Sequence, residues 1–200
     1  MLTLSGQADS TTVQAHAGPP DRRASSLPMK TLEDHLSQYA SYHRDPRNIA
    51  SHFPGILLIV LAVAILLSRP AFSLAGWPLS PAAAVAGAVA VFYLRLDRPL
   101  GLLMTALLAL ALWLGALLAA QSTALWLAWG LGLFVVGWAI QFVGHHYEGR
   151  KPAFLDDLAG LAIGPLFIAT EAVFLLGGRP ALRRTIEERA GPVRRRQPSR

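Results

Sequence analysis

The sequence predicts an all-α, polytopic membrane bundle: four spanning helices, with a fifth apolar helix that is re-entrant or interfacial. Three observations carry this. Apolar residues make up 53% of the 200 positions, charged residues only 15%, and mean hydropathy is +0.41; a soluble domain is ~25% charged. The charges are also segregated: none lies between Pro99 and Gly144, and Arg69 stands alone between Phe53 and Leu94. Finally, proline, glycine and short polar turns cut the apolar sequence into helix-length pieces.

Residues 1–29 mix Ser, Thr, Gly, Pro and Ala without a hydrophobic period. They read as a disordered arm with no signal-peptide core. Thr31 and Asp34 are spaced as a capping box, and Leu32, Leu36, Tyr39 and His43 then follow on one helical face. Such a helix suits the membrane surface. Asp45-Pro46 pairs an N-cap residue with a proline at the first helical position. The helix it starts runs through Pro54, an expected kink, to Ser68, and Arg69-Pro70 ends it.

A second apolar segment, Pro81–Leu94, is rich in the small residues that let helices pack closely. Leu100–Ala119 and Ala124–Val143 are each long enough to cross, joined by the turn Gln121-Ser122-Thr123. Trp113, Trp126, Trp129 and Trp138 are candidate interfacial or packing aromatics. After the polar stretch His145–Asp157, where Asp156-Asp157 is expected to cap a helix, the fifth apolar segment runs from Leu158 to Gly177 and carries Glu171. Residues 30–178 thus form the membrane-embedded domain. Residues 179–200 form an Arg-rich tail, expected to be cytoplasmic, with a helical trace at Leu182–Arg189.

Charge orients the bundle. With the N-terminus cytoplasmic and four crossings, Arg44, Arg47, Arg95, Arg98, Arg150 and Lys151 all fall inside, and Arg69 alone falls outside. A spanning fifth segment would export the eight arginines after Gly178. Both termini are therefore expected in the cytoplasm. The net charge of +6 gives the tail anionic lipid head groups as a sufficient partner. No aromatic interleaving supports nucleic acid. Arg- and Ala-rich composition points to a bacterial chain and so to an inner membrane.

The absence of cysteine excludes thiol nucleophiles, thiolate zinc sites, iron–sulfur clusters and c-type haem. No phosphate loop or dinucleotide fingerprint is present. Histidines carry the remaining chemistry. His16 lies in the arm, and His35 reads as a surface residue. His43 and His52 precede the crossings, and His145 and His146 follow them. An even number of crossings returns the chain to the same face, so the two clusters can meet at the cytoplasmic membrane surface. Converging imidazoles suit non-haem iron or zinc. Glu148 is the nearest carboxylate. Asn48, four residues before His52, and Gln141, four before His145, are candidate orienting partners.

Tyr42-His43-Arg44-Asp45-Pro46-Arg47-Asn48 with His52-Phe53-Pro54-Gly55 resembles the opening motif of the 2-hydroxy-fatty-acid dioxygenase family. Trp138 to His145, Tyr147 to Ala153, and Gly164-Pro165-Leu166-Phe167 resemble its second signature. The likeness covers roughly residues 32–178. It implies an iron(II)-dependent α-oxidation in which dioxygen shortens a 2-hydroxy fatty acid by one carbon. It further implies His43, His52 and His145 as catalytic metal ligands, with His146 or Glu148 as a possible further one. Arg47 or Arg150 would then hold the substrate carboxylate. The rival reading is a non-enzymatic membrane scaffold or lipid-binding protein with interfacial histidines. A di-iron hydroxylase needs about twice the usable histidines, and haem b between two histidines would show a Soret band.

Overall fold

The computed structural model describes residues 30–74, 77–153 and 156–195. The arm expected over 1–29, including His16, and tail residues 196–200 lie outside the described residues. Seven helices and one hairpin occur among those described.

Helix α1 (Leu32–Ala40) starts in the expected capping box. Thr31 Oγ1 accepts from the Asp34 N–H at 3.2 Å, and Asp34 Oδ2 accepts from the Thr31 N–H at 3.0 Å. Asp45 caps α2 (Pro46–Leu67), which continues unbroken past Pro54. A short antiparallel hairpin follows, β1 (Phe72–Leu74) with β2 (Trp77–Leu79), where the sequence reading placed no element.

Helices α3 (Pro81–Leu96) and α4 (Arg98–Ala119) share Asp97, which ends the first and caps the second through the Leu100 N–H. Helix α5 (Thr123–Glu148) outruns its expected end at Val143 and stops only where Gly149 adopts φ +65°. His145, His146 and Glu148 therefore lie on a helix and not in a polar loop. Helix α6 is Gly160–Leu175. Asp157 does not cap it as expected: the aspartate accepts from the Ala159 N–H while Asp156 takes the Tyr42 hydroxyl and Lys151.

Three of these helices, α2, α4 and α5, are long and apolar enough to cross a membrane, while α3 and α6 are shorter, at 16 residues each. Helix α2 runs through the middle, against α5 along its length and also against α3, α4 and α6. The outer face of α5 is apolar and exposed at Leu131, Val135 and Phe142. That is the pattern of a surface facing lipid.

The α2–α5 seam is glycine-lined. Gly130, Gly137 and Gly144 recur every seven residues on α5. A Cβ on Gly137 would stand 2.9 Å from the Gly55 carbonyl oxygen, and one on Gly144 only 2.0 Å from Ser51 Oγ. Main chain therefore meets main chain at Gly137 and Gly55, and the Ser51 and Asn48 side chains pack directly on Gly144.

The apolar core sits at that same end, where Leu36, Tyr39, Tyr93, Leu166 and Phe167 pack together. Helix α7 (Pro180–Ala190) joins it through Leu182 and Ile186 and lies on α1. Much of the Arg-rich tail is thus part of the packed body. Arg179 pairs with Asp97 and Arg189 with Asp34.

Candidate metal centre

His43 lies in the turn between α1 and α2, His52 two turns into α2, and His145 near the end of α5. All three are buried, at 0%, 1% and 7% exposure. One ligating nitrogen from each lies within 4.8 Å of the others. The pairing inferred from even crossings thus matches the observed geometry, and the glycine seam makes it possible.

The hydrogen bonds decide which nitrogen is available. His43 Nδ1 is 2.8 Å from the Tyr39 carbonyl oxygen, and His52 Nδ1 is 2.8 Å from that of Asn48. A carbonyl oxygen only accepts, so both Nδ1 atoms carry protons and both Nε2 atoms present lone pairs. These two Nε2 atoms are 3.0 Å apart. Neither can donate to the other, and two lone pairs at that distance repel. A cation bound by both turns the repulsion into coordination. Protonation is a poor alternative, because burial, reinforced by the neighbouring His52, holds His43 well below the usual imidazole pKa. The donor set therefore fits a metal ion.

Second-tier contacts fix the rings. Tyr39 stacks on His43 at 4.2 Å with planes 8° apart, and Phe167 packs against both. The His145 ring centroid lies 5.0 Å from each of the other two, and the Arg150 backbone lies against His145.

Two further candidates stand outside the group. His146 is exposed, because the next residue on a helix turns ~100° away. Glu148 is wholly buried but committed to the main chain. Its Oε2 accepts from the Arg44 N–H at 2.9 Å, the Asp45 N–H at 2.7 Å and Asn48 Nδ2 at 3.2 Å. It ties the end of α5 to the start of α2 and so sets where His43 and His52 stand. Asn48 serves His52 through its main-chain carbonyl, not its side chain. Gln141 Oε1 has no partner, so the amide does not orient His145 through that oxygen.

Arg47 pairs with Asp45 at 2.8 Å and lies over the Tyr147 ring at 4.5 Å. Exposed Arg150 donates to the Ser41 carbonyl. Neither lines the pocket beside the histidines.

Sequence reasoning missed Tyr39 and Arg44. Tyr39 precedes His43 by four, a spacing that could have signalled the stack. Arg44, 4% exposed, donates to the carbonyls of His43 and Gly191.

A pocket of about 70 Å³ adjoins the group, with Tyr39, His52, Gln141 and His145 as its polar lining. It is flanked by a larger apolar cavity of about 490 Å³ among α2, α3, α4, α5 and α6; Ile59, Val60, Trp138, Leu161 and Pro165 belong to both.

Comparison with known proteins identifies the family. The family described as 2-hydroxy-palmitic acid dioxygenase Mpo1-like matches residues 29–176. The Saccharomyces cerevisiae protein 2-hydroxy-palmitic acid dioxygenase MPO1 is 35% identical over 158 residues, covering 78% of this chain and 87% of the yeast protein. No solved structure matches. With both histidine-bearing blocks inside the matched region, the chain belongs to the Mpo1-like family.

Proposed function

We propose that this protein is an iron(II)-dependent dioxygenase of fatty acid α-oxidation. It converts a 2-hydroxy long-chain fatty acid and dioxygen to the acid one carbon shorter, with the carboxyl carbon leaving as carbon dioxide and one water formed. The observation that carries the reading is the pair of Nε2 lone pairs meeting at 3.0 Å beside His145. Family membership and the named activity of the yeast relative support the substrate class.

His43, His52 and His145 are the proposed ligands. Iron(II) bound there would supply the redox chemistry that dioxygen requires, which zinc lacks. The chain's own groups prepare the site. The Tyr39 and Asn48 carbonyls hold both Nδ1 protons, so the two Nε2 atoms stay aprotic. Glu148 fixes the turn that carries His43. Tyr39 and Phe167 close the back of the His43 ring against water. The small pocket accepts the head group, and its apolar walls lead the alkyl chain away.

The proposed setting is an inner membrane, with α3 as a fourth crossing, α6 at the interface and both termini cytoplasmic. The α3–α4 joint lies at the histidine end, where Phe92 meets His35 and Tyr93 reaches Ala162. Arg44, Arg95, Arg98 and Arg150 then share one face, which anionic lipid would attract. Reporter fusions at Ser122 and after Arg200 should report opposite sides.

The deciding experiment is anaerobic purification, metal analysis and assay with 2-hydroxypalmitate. A chelator should abolish oxygen-dependent turnover, and iron(II), not zinc, should restore it. Unchanged turnover in chelator, or product formed without oxygen, would overturn this reading, and binding of the acid with no turnover under any of these conditions would replace it with the lipid-binding one.

A further inference from the structure

Gln141 is 4% exposed, lies one turn before His145 and lines the same small pocket as His52 and His145. Its Oε1 is buried with no hydrogen-bond partner. The amide is also pinned. A Cβ on Gly55 would lie 3.2 Å from both Gln141 Cδ and Nε2, so the group rests directly on the α2 main chain. A buried amide oxygen left without a donor opposes folding, and an apolar side chain of the same shape would serve the seam better.

The chemistry of this orphan atom narrows what meets it. An amide oxygen only accepts, so its partner must bring a hydrogen. An ionised carboxylate brings none. A hydroxyl does. The surrounding walls agree, since Trp138, Leu161 and Pro165 continue from this pocket into the 490 Å³ apolar cavity. A ligand whose hydroxyl sits at Gln141 therefore has room for its alkyl chain in that cavity.

We propose that Gln141 is the specificity-determining residue that reads the 2-hydroxyl, its Oε1 accepting a hydrogen bond from that O–H while the chain occupies the apolar cavity. This rests on the reading of the site as one for 2-hydroxy acids. It adds the group that distinguishes them from unsubstituted acids.

The test compares binding of 2-hydroxypalmitate and palmitate to the full-length protein under nitrogen, by displacement of a fluorescent fatty acid in detergent. In Gln141→Met, which keeps the shape and loses the acceptor, the preference for the 2-hydroxy acid should fall about tenfold, with palmitate affinity unchanged. Gln141→Leu should behave alike and covers the case in which the methionine variant does not fold. The wild-type protein alone supplies a third arm. It should bind 2-methoxypalmitate, which cannot donate, no better than palmitate. A variant that keeps the preference, or weakens both acids equally, overturns the assignment; so does tight binding of the methoxy acid. The two readings separate cleanly. A binding preference that depends on Gln141 without oxygen-dependent turnover defeats the dioxygenase reading and leaves this one. Turnover with a preference indifferent to Gln141 does the reverse.

Discussion

The two ends of the α2–α5 pair are both polar, and they are polar in different ways. At the far end, Arg69 donates to the Ala119 and Gln121 carbonyls and to Thr123 Oγ1, at 2.7, 2.5 and 3.2 Å, and lies over Trp126, whose indole N–H reaches the Ile65 carbonyl. Those carbonyls belong to the end of α4 and the turn after it, which helix geometry leaves without partners. Donors and acceptors match there, so that end is a fastening. At the near end the histidines bring acceptors face to face, and Gln141 adds another. A network closed on itself stabilises. One with surplus acceptors in a buried place waits for a cation or a donor.

This contrast can be broken most sharply at His52. His52→Ala should lower metal content and oxygen-dependent turnover by about 100-fold or more, because a lost ligand also leaves the remaining two misplaced. Retained iron and turnover in that variant would dissolve the distinction between the ends.

Glu148→Ala comes next. It strips a buried acceptor from two main-chain N–H groups and from Asn48. The expected loss is about 3 kcal/mol, read as a melting temperature lower by roughly 6–12 °C, together with weaker metal retention. Glu148→Gln keeps one acceptor and should lose less.

The pH dependence sharpens the comparison in the metal-free protein. Folding holds the His43 pKa well below its unfolded value, which is about 6.5. Below that pH the unfolded chain binds a proton that the folded one refuses, so stability is full above it and falls as the solution is acidified. The slope from this group is about 1.4 kcal/mol per pH unit below 6.5. Thermal melts at pH 7.5 and 5.5 should differ, and His43→Ala should flatten the difference.

The smallest effects belong to the fastening and to the outward histidine. Arg69→Ala should cost about 1 kcal/mol, given its partial exposure, and leave metal content intact. His146→Ala should change turnover by less than about twofold, as a solvent-facing side chain does little. Loss of metal from either variant would show that the ends are not separate.

Much of this was legible in the sequence because it is local. Thr31 with Asp34 and Asp45 with Pro46 are caps written in neighbouring residues. That the His43–His52 and His145–His146 clusters could meet was legible from their placement at opposite ends of the apolar segments, and His43, His52 and His145 do meet. What was not legible depends on partners about a hundred positions away. Glu148 carries the residue type of a ligand, and only its contacts with Arg44 and Asp45 show it to be a tie. The extension of α5 to Glu148 was hidden because polar residues at its end look like a loop when the helix leaves the apolar zone. The burial of α7 was hidden by its arginines, which outnumber the two apolar residues, Leu182 and Ile186, that dock it. The seven-residue glycine spacing on α5 is likewise written in the sequence.

That glycine seam has a consequence for how the protein tolerates change. Where Gly137 meets Gly55, about one turn from His52 and two from His145, the spacing of α2 and α5 is set by main chain: a Cβ on Gly137 would lie 2.9 Å from the Gly55 carbonyl oxygen. Residues such as Leu131 and Val135, on the outer face of α5, can then drift with the thickness and fluidity of the surrounding bilayer without widening the ligand set. The outer apolar face is free to adapt from one membrane to another, while the gauge between the two helices is held by main-chain atoms that only a replacement of Gly55 or Gly137 would push apart.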